Sequence, residues 1–328
     1  MSLQKITSSR PFKGMAAFLF CSMLMVSCHQ VFEPQEKVIL QNPHEWVGLM
    51  HNEGLDYDIQ HIASNKTFDE IQAIVRANAN NPNVRDSLLI HHAITKNFQL
   101  TGEYLAKDIK KKTGKDIDLS PLMNNYQGEM QRALHKITFN SYSYEAIKKN
   151  SLSFLKNDCK TISPKVKVYI DEVFTVIFET ADNNQSPETA LAKIGEIEQR
   201  ILRETSSQDA DGAIAQSFVS LVKHSGEYHL QALSNSKNGG TLTGVCSYYR
   251  ANSWWIDWTL DALGFCILLA VGPAVLASSA LAVALMDVFG AFAVQIITSL
   301  VGGIGSSAFI NWTILALCNL IEHIQQQG

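Results

Sequence analysis

After Arg250 the chain has no lysine or arginine, and in residues 251–328 only Asp257, Asp261, Asp287 and Glu322 are charged. From Ala262 to Met286, and again from Val288 to Ile321, runs of 25 and 34 residues carry no formal charge. An apolar helix needs about 20 residues to cross a bilayer, so each run is long enough to span one. Whatever its partner, a surface of this kind has to leave water, either in lipid or inside protein. The rest of the chain is different in kind: 27 basic and 31 acidic residues overall give a net charge of −4 without a polybasic run. A balance of that sort offers no field for nucleic acid.

The tail divides into features with distinct expectations. Gly302-Gly303-Ile304-Gly305-Ser306 reads as a break between two apolar helices, and Gly272-Pro273 as a kink or interruption of the first. Asp287 falls where a turn or an inward-facing polar group is needed. Cys266, Ala270, Ala274, Ser278 and Ala282 recur every four residues, a small-residue face along which another helix can approach closely; a chance stripe in an alanine-rich run is the competing reading. Tyr248, Tyr249, Trp254, Trp255 and Trp258 gather around Arg250 ahead of the apolar runs. This is the composition of a membrane-interface belt, and equally that of aromatics packed at a junction.

The other end of the chain reads as an export signal. Lys5, Arg10 and Lys13 precede an apolar core, Met15 to Val26, that is too short for a permanent span. The core ends in Met25-Val26-Ser27-Cys28, which resembles the lipobox of bacterial lipoproteins and makes Cys28 the expected lipidation site. Signal peptidase cleavage nearby and an uncleaved anchor are the alternatives. Of the remaining cysteines, Cys159 and Cys246 either pair as a disulfide in an oxidising compartment or stay as buried thiols.

Between these ends, helix starts recur. Asn42-Pro43-His44-Glu45 and Thr67-Phe68-Asp69-Glu70 have capping-box form, and Ser120-Pro121, Ser163-Pro164 and Ser186-Pro187 each set a hydroxyl before a proline. Apolar residues follow with helical spacing, as in Val168, Val173, Val176 and Ile177, or Leu191, Ile194, Ile197 and Ile201. Asn78 to Asn83 and Asp182 to Gln185 read as loops. The fold class expected is all-α: a bundle of about seven or eight helices followed by an apolar, transmembrane-competent helical hairpin. In segments, residues 1–28 are signal, 29–41 tether, 42–234 bundle, 235–247 linker, and 248–328 aromatic belt and apolar tail.

No catalytic residue is indicated. Gly48 stands where the second histidine of a zinc-binding H-E-x-x-H helix would be, and no nucleophile elbow, phosphate loop or dinucleotide fingerprint occurs. His44, His51 and Asp58 sit seven apart and come nearest to a metal-ligand set; a polar or capping role is preferred for them, so neither metal nor cofactor is expected. Asp56 and Asp58 read as solvated helix positions, and His224 with His229 as surface or satisfied core histidines.

The lipobox Cys28, Asn42-Pro43 through Val47-Gly48, His51-Asn52-Glu53-Gly54-Leu55-Asp56-Tyr57, the Ile194 to Ile201 helix and the small-residue-rich tail together resemble a loosely defined family of uncharacterised lipoproteins from Bacteroidetes-type bacteria. That resemblance implies an exported, lipid-anchored location and no particular activity. Two functional expectations follow. One is a non-catalytic structural or interaction module on the periplasmic or cell-surface side of the envelope, with membrane lipid as partner and self-association through the tail. The other is a membrane-active, pore-forming or bacteriocin-like effector that shelters its apolar hairpin until it meets a target. A metal-dependent hydrolase built on His44, His51 and Asp58 stands third.

Overall fold

A computed structural model describes residues 39–62, 65–78, 80–138, 144–236, 245–276, 285–286 and 292–306. Every regular element among them is a helix: α1 (Glu45–Ile62), α2 (Asn65–Ala77), α3 (Pro82–Thr113), α4 (Ser120–Thr138), α5 (Tyr144–Asn157), α6 (Pro164–Asp182), α7 (Pro187–Glu204), α8 (Ala210–Ser236), α9 (Val245–Leu276) and α10 (293–306). The described residues from Gln41 onward form one compact unit. Residues 1–28, read as an export signal ending at Cys28, and Asp287 lie outside the described residues.

Several of the starts act as their sequences require. Ser163 Oγ accepts from Val166 N at 3.3 Å and Pro164 opens α6, filling a position whose amide has no intrahelical partner. Pro187 likewise opens α7, although Ser186 makes no side-chain cap there. At α4 the cap comes from Asp118, which accepts from Ser120 N at 2.9 Å. The loop read over Asn78 to Asn83 stands between α2 and α3 but ends earlier than expected, because Asn81-Pro82 is itself an Asn-Pro start: Asn81 Oδ1 accepts from Val84 N at 3.4 Å and α3 begins at Pro82.

Helix α8 is the centre of the bundle, with α1, α6, α7 and α9 packed around it. From Gly212 to Gly226 only Ile214 and Lys223 are more than marginally exposed, and Phe218, Val219, Leu221 and Val222 are wholly buried. Each such side chain stabilises the fold by roughly 1.5–3 kcal/mol relative to exposure. Close approach is built in. A Cβ on Gly48 of α1 would meet His224 Cδ2 at 2.3 Å and the Ser220 carbonyl at 2.6 Å, so the residue that cancels the zinc motif is the one that seats α1 on α8.

The apolar tail departs from expectation at two points. Helix α9 continues through Gly272-Pro273 to Leu276 without the interruption predicted there. Gly302 to Ser306, read as a break, lies inside the helix at 293–306. Those glycines admit neighbours instead of ending the helix: a Cβ on Gly302 would stand 2.0 Å from the Gly264 carbonyl oxygen, and one on Gly264 would stand 2.1 Å from that of Gly302. Gly303 faces Leu221 and His51, and Gly305 faces Phe98. Polar side chains fix the seat, since Ser306 Oγ donates to the Leu260 carbonyl at 2.8 Å and Tyr126 OH shares a 2.8 Å hydrogen bond with Thr298 Oγ1. Among the described residues no helix is long and apolar enough to cross a membrane.

Candidate functional site

The only two acids that the described part of the tail carries, Asp257 and Asp261, are one turn apart on α9, and both are buried, at 2% and 0% exposure. Facing them are His51 from α1 and Ser225 and His229 from α8. Asp261 Oδ2 lies 3.4 Å from His51 Nε2 and 3.4 Å from His229 Nε2, and it also accepts from Ser225 Oγ. His229 Nδ1 approaches Asp257 Oδ2 at 3.7 Å. Behind His51, its Nδ1 meets Asn52 Oδ1 at 3.1 Å, and the Asn52 amide donates to the His224 carbonyl at 3.0 Å. Trp258, edge-on to Trp254, packs on Gly226, where a Cβ would meet its ring at 1.8 Å. The apolar helix is therefore held in the bundle by carboxylates clasped from two sides.

Burial pulls both histidines toward neutrality, and the carboxylates oppose it unequally. For His51 burial prevails over the single carboxylate of Asp261, leaving it below the ordinary histidine value. For His229 burial is outweighed by Asp257 and Asp261 together, and it sits above that value. The stability that His229 contributes is full below its unfolded value of about 6.5 and is lost as pH rises through the folded one. His51 acts oppositely: its neutral form is favoured in the fold, so stability is lost as pH falls from about 6.5 toward its folded value. The clasp consequently holds best near neutrality.

Chemically the cluster can exchange protons and order α9. Ser225 donates to a carboxylate and not to an imidazole, so it is not activated as a nucleophile. Cavities among the described residues elsewhere include one of about 390 Å³ between α3 and α4 beside Phe98, Glu103 and Met123 and one of about 360 Å³ beside Ser163, Asp211, Leu269 and Gln295. Among the described residues no group of three His, Cys, Asp or Glu side chains is arranged to hold a metal ion.

The residues singled out from sequence are dispersed. His44 is half-buried just before α1 and close to Trp46, whereas His51 belongs to the clasp. Asp58 is not solvated: it is fully buried and accepts from Thr101 Oγ1 of α3 at 3.1 Å. Of the aromatic set, Trp254, Trp255 and Trp258 are inside the protein in this conformation, Trp255 edge-on to Tyr144 of α5. Tyr248 and Tyr249 are on α9, within the turns that open it. Ala270 packs against the core and its carbonyl accepts from Thr161 Oγ1 at 2.9 Å; Ala274 lies on α9, while Ser278 and Ala282 are outside the described residues. A close helix contact is made between Gly264 and Gly302, neither of which belongs to the small-residue stripe. Sequence reading passed over Ser225 and gave Asp257 and Asp261 no role, although two acids one turn apart in an apolar run were a signal; His229, read with His224 as a surface or satisfied core histidine, is a core histidine paired with Asp261.

Asp58 gives a direct test of this packing. Burial raises its carboxyl well above the usual range, so the native state favours the protonated form and loses stability as pH rises from the unfolded value of about 3.9 through the folded one. Asp58→Asn keeps an acceptor for Thr101 and cannot ionise. It should raise Tm at pH 7 by at least about 2 °C, with the gain vanishing in a melt at pH 4. A loss at pH 7 would mean that Asp58 is ionised with a counter-charge.

No protein-family model matches this chain, and neither a curated protein nor a solved structure is similar to it.

Proposed function

We propose that the chain is an exported lipoprotein of the bacterial cell envelope, in which lipid on Cys28 tethers a helical body that serves as a non-catalytic structural or interaction module. The observation that carries this reading is the order of Lys5, Arg10 and Lys13, the short apolar core Met15 to Val26, and Ser27-Cys28, followed after residues 29–41 by the first helix start of the body at Asn42-Pro43. One acyl chain gives only marginal membrane binding, so stable anchoring draws on a second acyl chain or on the apolar tail. Cells fed radiolabelled palmitate should label the full-length chain and place it in the membrane fraction. Cys28→Ala should take up no label and move at least tenfold toward the soluble fraction. An unlabelled wild type that fractionates like the variant would remove the lipoprotein reading.

A second reading is supported by the enclosure of α9 and 293–306 within the bundle. A membrane-active effector would keep its apolar helices folded around the Asp257–Asp261 clasp and release them as a transmembrane hairpin at a target bilayer. In that state Tyr248, Tyr249, Trp254, Trp255 and Trp258 would take up interfacial positions, and the tail would be free to self-associate. Dye release from anionic liposomes by the purified mature chain separates the two readings. Leakage is expected only under the second, and intact liposomes at every pH from 4 to 8 would dismiss it.

A further inference from the structure

The turn between α5 and α6 carries Cys159, and α9 carries Cys266; both are wholly buried. Cys159 Sγ lies 3.9 Å from the carbonyl oxygen of Cys266, which puts it at the turn of α9 that bears the second thiol. Two residues beyond Cys159, Thr161 Oγ1 donates to the Ala270 carbonyl at 2.9 Å, one helical turn beyond Cys266. The α5–α6 turn and α9 are thus held in register at two successive points, at one of which the Cys159 thiol meets the backbone of Cys266; both thiols are free in this structure. Cys159 lies outside any helix, so its backbone can adjust to the separation that a disulfide demands.

We propose that Cys159 and Cys266 are a modification site, joined as a disulfide that fastens the apolar helix α9 to the bundle. The proposal rests on the exported reading for its oxidant, a protein or low-molecular-weight disulfide of an oxidising compartment. The thiolate of one cysteine attacks the oxidant's S–S bond, forming a mixed disulfide and releasing one oxidant thiol. The second cysteine attacks that mixed disulfide, forming the Cys159–Cys266 bond and releasing the other. Two protons and two electrons leave the protein, and the oxidant's disulfide is reduced to two thiols. Burial pushes the Cys159 thiol up to about 12, so the reaction belongs to the folding chain, before α9 closes over it.

The bond would also govern the effector reading. A helix linked at Cys266 cannot leave the bundle whole, so release of the apolar tail would require reduction first. The loop it closes spans residues 159–266, long enough for reduction to lower Tm by about 10 °C.

The full chain, recovered from its native envelope and alkylated before digestion, should yield a Cys159–Cys266 linked peptide by mass spectrometry under non-reducing conditions. A parallel sample, reduced, unfolded and refolded in a mixture of reduced and oxidised glutathione, should yield the same peptide. Cys159→Ala should melt about 10 °C below the oxidised wild type and within about 2 °C of the wild type in dithiothreitol. A Cys159–Cys246 peptide, or both thiols alkylated after oxidative refolding, would overturn the pairing. Free thiols in the native sample together with the Cys159–Cys266 peptide after refolding would support the pair and count against the exported location.

Discussion

Gly302→Ala is expected to destabilise the protein by more than about 3 kcal/mol, beyond the usual range for adding one methyl to a core. The new Cβ would sit 2.0 Å from the carbonyl oxygen of Gly264 and 2.7 Å from its carbon, and these are backbone atoms that no rotamer change can move. The two apolar helices would have to part by more than an ångström, loosening the Ser306–Leu260 hydrogen bond at the same crossing. Gly128 in α4 and Gly195 in α7 supply the control, since a Cβ at either meets nothing within 4 Å. Alanine at those sites removes unfolded-chain entropy and should stabilise by about 0.5–1 kcal/mol. Urea unfolding of the four purified proteins measures all of this; a Gly302→Ala variant within about 1 kcal/mol of wild type would show that the helices do not cross there.

Asp261→Ala should be the second severe lesion, costing about 3–5 kcal/mol, the range for removing one partner from a buried charged cluster. The loss leaves Ser225 Oγ without its acceptor and deprives His51 and His229 of the carboxylate at 3.4 Å. Asp261→Asn keeps an acceptor for Ser225 without the charge and should fall between wild type and alanine. His229, lifted above its ordinary value by Asp257 and Asp261, should titrate lower in both variants, which two-dimensional NMR of the imidazole resonances reads directly. An unmoved His229 titration would show that Asp261 is not its partner.

How far the fold could be read in advance depended on whether the deciding interactions were local. The α6 and α7 starts were legible because a proline at the first helical position, joined at α6 by the Ser163 cap, acts within one turn, and Val173, Ile177, Ile194, Ile197 and Ile201 are buried as their spacing implied. Val168, placed on the same face from its spacing, is 62% exposed, because at helical pitch it falls on the side of α6 opposite the buried Val166, Ile170, Val173 and Ile177. The glycines of 302–305 were misread for a different reason: a glycine that breaks a helix and one that lets another helix touch it look alike until the partner is known, and Gly264 lies almost forty positions away. Asp58 was misjudged on the same ground, its acceptor role being set by Thr101 on another helix. The clasp itself was visible only as an anomaly of charge. That Asp257 and Asp261 are the acids of the described tail was plain, but the identity of their partners, drawn from α1 and α8, is a property of the assembled bundle.

Placing α8 at the middle also dictates a timetable. Its partner on one side, α1, precedes it by about 170 positions, as the Asn52–His224 and Ser220–Glu45 bonds record, and on the other it awaits α9. The central strut therefore emerges before the last piece that dries it. A polypeptide halted at Ser236 would leave Ser225 and His229 without the Asp261 carboxylate, and Phe218 without Phe265. Contacts so distant along the chain make closure late and slow, so a nascent chain would stay pliable, and in need of custody, until its final quarter is made.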